Sequence, residues 1–181
     1  TSSTYFFLVR SDFYNIYSKK NLAALKKIIN LGHEIGLHFD TSLYQEEELD
    51  FYCNYEAKVL EKACGTKVNM VSFHRPIKKF LNSNNKIGRL KHTYMKEFFN
   101  DMLYCSDSEG KWRFKNPYNI VAENNKKDKF YLQLLTHPIW WTTPNKLSPT
   151  EKLKFFLKGE EEKMIKLLEE NSKPFKKRNV L

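Results

Sequence analysis

Three of the five histidines, His38, His74 and His137, stand just after apolar runs that read as β-strands, and each has a charged or polar neighbour. His38 is followed by Asp40, His74 by Arg75, and Ser106 and Asp107 close a further apolar run. Imidazole, carboxylate and guanidinium groups at successive strand ends point to one composite polar site rather than to isolated core histidines, with proton transfer or metal-assisted hydrolysis as its chemistry. The other two histidines read structurally: His33 begins its strand, and His92 falls in a loop-like segment.

His38 and Asp40 are two residues apart, so a strand that continued through both would turn them to the same side, where they could share one divalent ion. A catalytic zinc takes three protein ligands and keeps an open position, and His74 from the neighbouring strand end is the best third. Asp40 reads equally well as the turn residue of Asp40-Thr41-Ser42.

The elements that must carry these groups follow from periodicity and stop signals. Thr4 to Val9 is a strand; Ser18 caps a helix with an apolar face at Leu22, Leu25, Ile28, Ile29 and Leu31, ended by Gly32; His33 to Phe39 is a second strand. Glu46-Glu47-Glu48 opens a helix that buries Leu49, Tyr52, Cys53, Leu60 and Cys64 and stops at Gly65, with acid at the positive end of the dipole. Val68 to Phe73, Met102 to Cys105 and Phe130 to Thr136 are further strands, the last unalternated and so expected to be covered on both faces. Between them Asn82 to Asn85 is a loop and Lys96 to Asn100 is helix-like, while Ser148-Pro149-Thr150-Glu151 is a capping box that starts a final long helix. Alternating strands and helices predict an α/β fold, an open sheet or an incomplete or distorted (β/α) barrel of mostly parallel strands with outer helices. In such folds reactive side chains gather at the carboxyl ends of the strands.

The 181 residues fit a single domain, with residues 172–181 as a basic, frayed tail. Thirty-one Lys and Arg against 21 Asp and Glu give a net charge of +10, scattered apart from clusters at Lys126, Lys127, Lys129 and at Lys173, Lys176, Lys177, Arg178. No nucleic-acid motif accompanies the charge, so a solvated surface is the better reading and no specific nucleic acid is expected. Cys53, Cys64 and Cys105 are odd in number and at no metal spacing, and the first two lie ~16 Å apart along one helix. That usage suits a reducing, cytoplasmic setting. No apolar run is long enough for a membrane span, and no signal-peptide pattern opens the chain. A chain that opens almost at once in a core strand is expected to follow an earlier segment.

Gly32-His33-Glu34-Ile35-Gly36-Leu37-His38 closely resembles the second motif of the polysaccharide deacetylases, the NodB-homology group of carbohydrate esterases. Downstream, Phe73-His74-Arg75-Pro76 is similar to their arginine-proline motif, Ser106-Asp107-Ser108 through Trp112 to their aspartate-tryptophan motif, and Leu135-Thr136-His137-Pro138 to their final leucine-histidine motif. With Ser3 to Phe7, which is similar to the family's second barrel strand, the resemblance covers residues 3 to 141.

The resemblance implies a distorted barrel, a zinc-like ion and a hydrolase that removes an N-acetyl group from an amino sugar in a polysaccharide or glycan precursor. His38 would be a metal ligand with Asp40 or His74 as the third, because Ser42 stands where the family has its second histidine. His137 would be the general acid. Asp107 would orient Arg75 or His137, and Arg75 would fix the site's carboxylates, with a simple buried ion pair as the other reading of both. The family's aspartate pair precedes its second strand, so the barrel is expected to lack its first strand in this chain. Asp12, on the same rim, would then substitute as base, or else be a loop carboxylate paired with Arg10. Trp112, Trp140 and Trp141 are all the tryptophans and lie close to these motifs. Since adjacent residues point in opposite directions, Trp112 and Trp140 are assigned to the sugar and Trp141 to the core. The positive surface would suit a nucleotide-linked or lipid-linked sugar. The alternative is a non-catalytic glycan-binding remnant of the same fold.

Overall fold

The structure is a computed structural model and describes residues 2–126 and 129–178. Lys127 of the first basic cluster and residues 179–181 of the tail lie outside the described residues. The chain divides into two compact units, Thr1–Met102 and Leu103–Leu181, and both are mixed α/β with parallel strand pairing.

In the first unit, β1 (Thr4–Leu8), β2 (Glu34–Phe39), β3 (Met70–Phe73) and β4 (Lys91–His92) form one sheet in that order, every neighbour parallel. Parallel neighbours need crossovers, and two of these are helices: α1 (Lys19–Asn30) and α2 (Leu49–Cys64) pack on β2 and on each other. Ser18 accepts from the Asn21 amide at the start of α1, and the Gly65 amide closes α2 on Glu61 with φ at +74°, a conformation costly for any other residue. The core runs through Leu25, Leu37, Phe39, Cys53, Leu60, Val68 and Val71. Gly36 is packed under the Phe6 ring across the β1–β2 register, where a Cβ would lie 2.5 Å from a ring carbon.

The loop-like placement of His92 is corrected here. His92 is fully buried in β4 opposite Val71, against the stacked rings of Phe73 and Phe80, with Nε2 bonded to the Asn85 carbonyl at 2.8 Å. A two-residue strand is too short to leave a periodic signal, and so the sequence conceals it. A short helix, α3 (Lys96–Phe99), completes this unit.

In the second unit β5 (Leu103–Ser106) pairs in parallel with β6 (Leu132–Leu135), and α4 (Pro117–Asn124) connects them. The run from Phe130 is a strand only from Leu132, and Leu134 is 47 % exposed, so this strand is not covered on both faces. The helix α5 (Pro149–Asn171) starts on the expected capping box, with the Ser148 hydroxyl accepting from Glu151 N–H and the Glu151 carboxylate accepting from Ser148 N–H. Ser172 then supplies a carbonyl to the amides of Phe175 and Lys176, so the described part of the basic tail is the short helix α6 (Lys173–Arg178) rather than frayed chain. All three cysteines are buried and free. Among the described residues no helix is long and apolar enough to cross a membrane.

Candidate functional site

At the carboxyl end of the first unit's sheet, His38 is the penultimate residue of β2, and His74, which follows β3, is tied to β2 by a bond from its amide to the Phe39 carbonyl at 2.9 Å. Their rings meet edge to face with centroids 5.3 Å apart. The ends of two neighbouring strands thus bring both imidazoles to one rim.

Asp40 is committed elsewhere. β2 ends at Phe39, and Asp40 caps a single turn over Thr41–Leu43. Its Oδ1 accepts from the Ser42 amide at 3.0 Å and the Ser42 hydroxyl at 2.7 Å, and its Oδ2 accepts from Arg75 Nη1 at 3.1 Å. Arg75 also donates to the Ser42 hydroxyl at 2.6 Å, and its carbonyl accepts from Thr41. Burial works to raise the Asp40 pKa, but the Ser42 hydrogen bonds and the charges of Arg75 and His74 outweigh it and hold the carboxyl below the usual range. The turn reading of Asp40 thus describes its local structure, and Arg75 does fix a carboxylate. Ser42, where the resembled motif has a histidine, binds both partners of that ion pair.

The donor set for a metal in this unit is accordingly two imidazoles and one carboxylate whose two oxygens already serve Ser42 and Arg75. Among the described residues no group of three or more His, Cys, Asp or Glu side chains is placed to hold a metal ion. His38 and His74 meet at one rim while both Asp40 oxygens are engaged by Ser42 and Arg75, so the two imidazoles are the residues that would hold an ion.

Asp12 is exposed in the loop after β1, and the expected pairing with Arg10 does not form. Arg10 instead donates to the Tyr44 hydroxyl at 2.9 Å, and Tyr44 in turn donates to buried Glu56. Tyr44 lies stacked between Phe39 and Tyr52, and burial together with Glu56 pushes its pKa up to about 12. This chain of groups escapes sequence reasoning, although Glu56 stands in the buried stripe of Cys53, Ala57 and Leu60 where an apolar residue is due.

Burial raises the Glu56 pKa, with the Tyr44 hydrogen bond and the Arg10 charge opposing it. A raised folded-state value means that the stabilisation from the protonated group is complete below the ordinary carboxylate value and is lost as pH rises through the raised one. Glu56→Gln keeps an acceptor for Tyr44 but does not ionise. The unfolding midpoint of the unchanged protein is therefore expected to fall relative to Glu56→Gln as pH climbs through that window and to run parallel to it above. A gap that stays constant across the acid range would assign the slope to other groups.

In the second unit Asp107 follows β5 and is nearly fully buried, yet surrounded by donors. Its carboxylate accepts from the His137 amide at 2.9 and 3.0 Å, lies 2.6 Å from His137 Nδ1, and accepts from Trp141 Nε1 at 3.0 Å. A carboxylate facing three N–H groups holds the proton of the imidazole on Nδ1 and leaves Nε2 for proton exchange. The His137 side chain is 43 % exposed, so that nitrogen is within reach of solvent or ligand. Of the two roles open to Asp107, orientation of His137 is the one made here.

The tryptophans are reversed from expectation. Trp140 is half-buried near Gly110, and its indole N–H is buried with no hydrogen-bond partner among the described residues, whereas Trp141 is 56 % exposed and shares the Asp107 carboxylate with His137. A tight turn over Pro138–Trp140 sets which of the two is the more exposed, and alternation alone carries no information on that choice. Trp112 is partly exposed after the turn over Ser108–Gly110. In the first unit a cavity of about 160 Å³ is lined by His33, Glu34, Thr66 and Lys67, at the amino end of the strands and so at the end opposite His38 and His74.

No family model, curated protein or solved structure matches the chain.

Proposed function

We propose that this chain is a hydrolase of the polysaccharide-deacetylase kind, removing an N-acetyl group from an amino sugar of a polysaccharide or glycan precursor. The observation that carries the reading is the Asp107–His137 pair: a buried carboxylate fixing an exposed imidazole, in residues that resemble two of the family's motifs. Hydrolysis of an acetamide requires water to add to the carbonyl and the departing amine to take up a proton. His137 Nε2 is the group that gives that proton as the C–N bond breaks, the proton released by the attacking water passes to solvent and one returns to Nε2, and Asp107 holds the ring for the transfer. The distorted (β/α) barrel and dependence on a zinc-like ion belong to the same reading and rest on the resemblance and on the two rim imidazoles, His38 and His74. Substrate contact by Trp112 belongs to it too.

A second reading, a glycan-binding remnant without turnover, is favoured by one feature: both Asp40 oxygens are engaged by Ser42 and Arg75. Acetate release from a panel of N-acetylated amino sugars, with and without added zinc, separates the two. Elemental analysis of protein purified without chelator is expected to find one divalent ion per chain, with His38→Ala greatly depleted. Equal metal in both proteins would remove His38 as a ligand, and glycan binding without acetate release at any zinc level would establish the remnant.

A further inference from the structure

We infer that Trp141 is the stacking platform for a pyranose ring of the substrate, held beside the His137 imidazole by the carboxylate that also orients it. The identity of the ligand rests on the deacetylase-like reading above, and the rest of the argument on geometry. Trp141 Nε1 donates to one oxygen of Asp107 at 3.0 Å, and His137 Nδ1 lies 2.6 Å from the other. Both rings are therefore anchored by an edge to the two ends of one buried, rigid group. The backbone beneath them is pinned as well, since the Pro138 carbonyl accepts from the amides of Trp141 and Thr142 and from the Thr142 hydroxyl.

An indole fixed in this way and still 56 % exposed forgoes burial that its neighbour Trp140 obtains. Its polar edge is satisfied, which leaves the flat apolar face as the exposed part. Such a face is preorganised: a ligand stacking on it immobilises little that is not already immobile. The C–H faces of a pyranose are flat, apolar and of matching size, and its hydroxyls stay in water at the rim.

The test is calorimetric titration of the full chain with two tetrasaccharides, one of β-linked N-acetylglucosamine and one of β-linked glucose, which carries no acetamide to hydrolyse. Trp141→Ala is expected to weaken binding of both by about tenfold or more, whereas Trp141→Phe, which keeps a ring, weakens it by less. In the unchanged protein the Trp141 indole N–H resonance is expected to shift on adding either sugar, a readout that stands even where the alanine variant does not fold. Unchanged affinity in Trp141→Ala, or an unmoved resonance on saturation, overturns the platform and leaves the deacetylase reading intact where acetate is still released. Tighter binding of uridine than of either sugar also overturns it, by making the ring a base-stacking surface. Absence of both sugar binding and acetate release would remove the reading and the platform together.

Discussion

Replacing His137 by Ala is expected to lower acetate release by about 10²- to 10⁴-fold, the usual contribution of a positioned general acid, while leaving metal content as it was. Asp107→Asn should fall nearly as far, for a reason legible in the hydrogen bonds. The carboxylate serves N–H donors on both oxygens, the His137 ring on one, Trp141 Nε1 on the other and the His137 amide on both. An asparagine offers one oxygen and one NH₂ group. Facing its NH₂ to Trp141 sets donor against donor, and facing it to His137 drives the ring to the tautomer with the proton on Nε2. Either way the imidazole no longer presents the acid in its working orientation. Turnover and metal content of both variants, measured side by side, check the assignment. A metal-free His137→Ala would make His137 a ligand, and full activity would remove it from the chemistry.

The strands other than β4, the helices α1, α2 and α5 and the strand-end positions of His38, His74, Asp107 and His137 were open to sequence reasoning because each depends on local rules: apolar runs, a Ser or capping box at a helix start, Gly at its end. What the sequence hides is non-local. Asp40 lies 35 positions from the arginine that claims it, and Tyr44 reaches Glu56 across the turn at Glu46–Glu48 and about two turns of α2. No periodicity connects such partners, and a buried polar chain is specified by packing rather than by pattern. Trp141 shows the same limit in small form: alternation says that Trp140 and Trp141 diverge, and only the turn at Pro138 decides which of them reaches Asp107.

The second large effect is structural and concerns the support beneath the histidine rim. Phe39 is fully buried at the end of β2, in register with Phe73, and its carbonyl receives the His74 amide. Its ring stacks on Tyr44 with centroids 5.5 Å apart and an 11° angle between planes, and Tyr44 stacks on Tyr52 at 4.1 Å. Phe39→Ala is expected to cost about 3–5 kcal/mol, the range for emptying a buried phenylalanine site. The upper part of that range applies because the void opens directly under Tyr44, whose hydroxyl donates to the buried Glu56 carboxylate. If Tyr44 settles into the void, Glu56 loses its donor in a place that water does not readily reach. This makes a second expectation: Phe39→Ala and Glu56→Gln should not add, because the glutamine is cheaper to leave without its partner than the carboxylate is. Denaturant midpoints of the two single variants and the double variant, followed by hydrogen exchange of the β2 amides, give the coupling, and about 0.5 kcal/mol or more is expected for groups that share one partner. An additive pair would mean that Tyr44 keeps its place without the ring beneath it, so that the stack from Phe39 to Tyr52 is packing alone and the rim of His38 and His74 does not depend on the Glu56 chain.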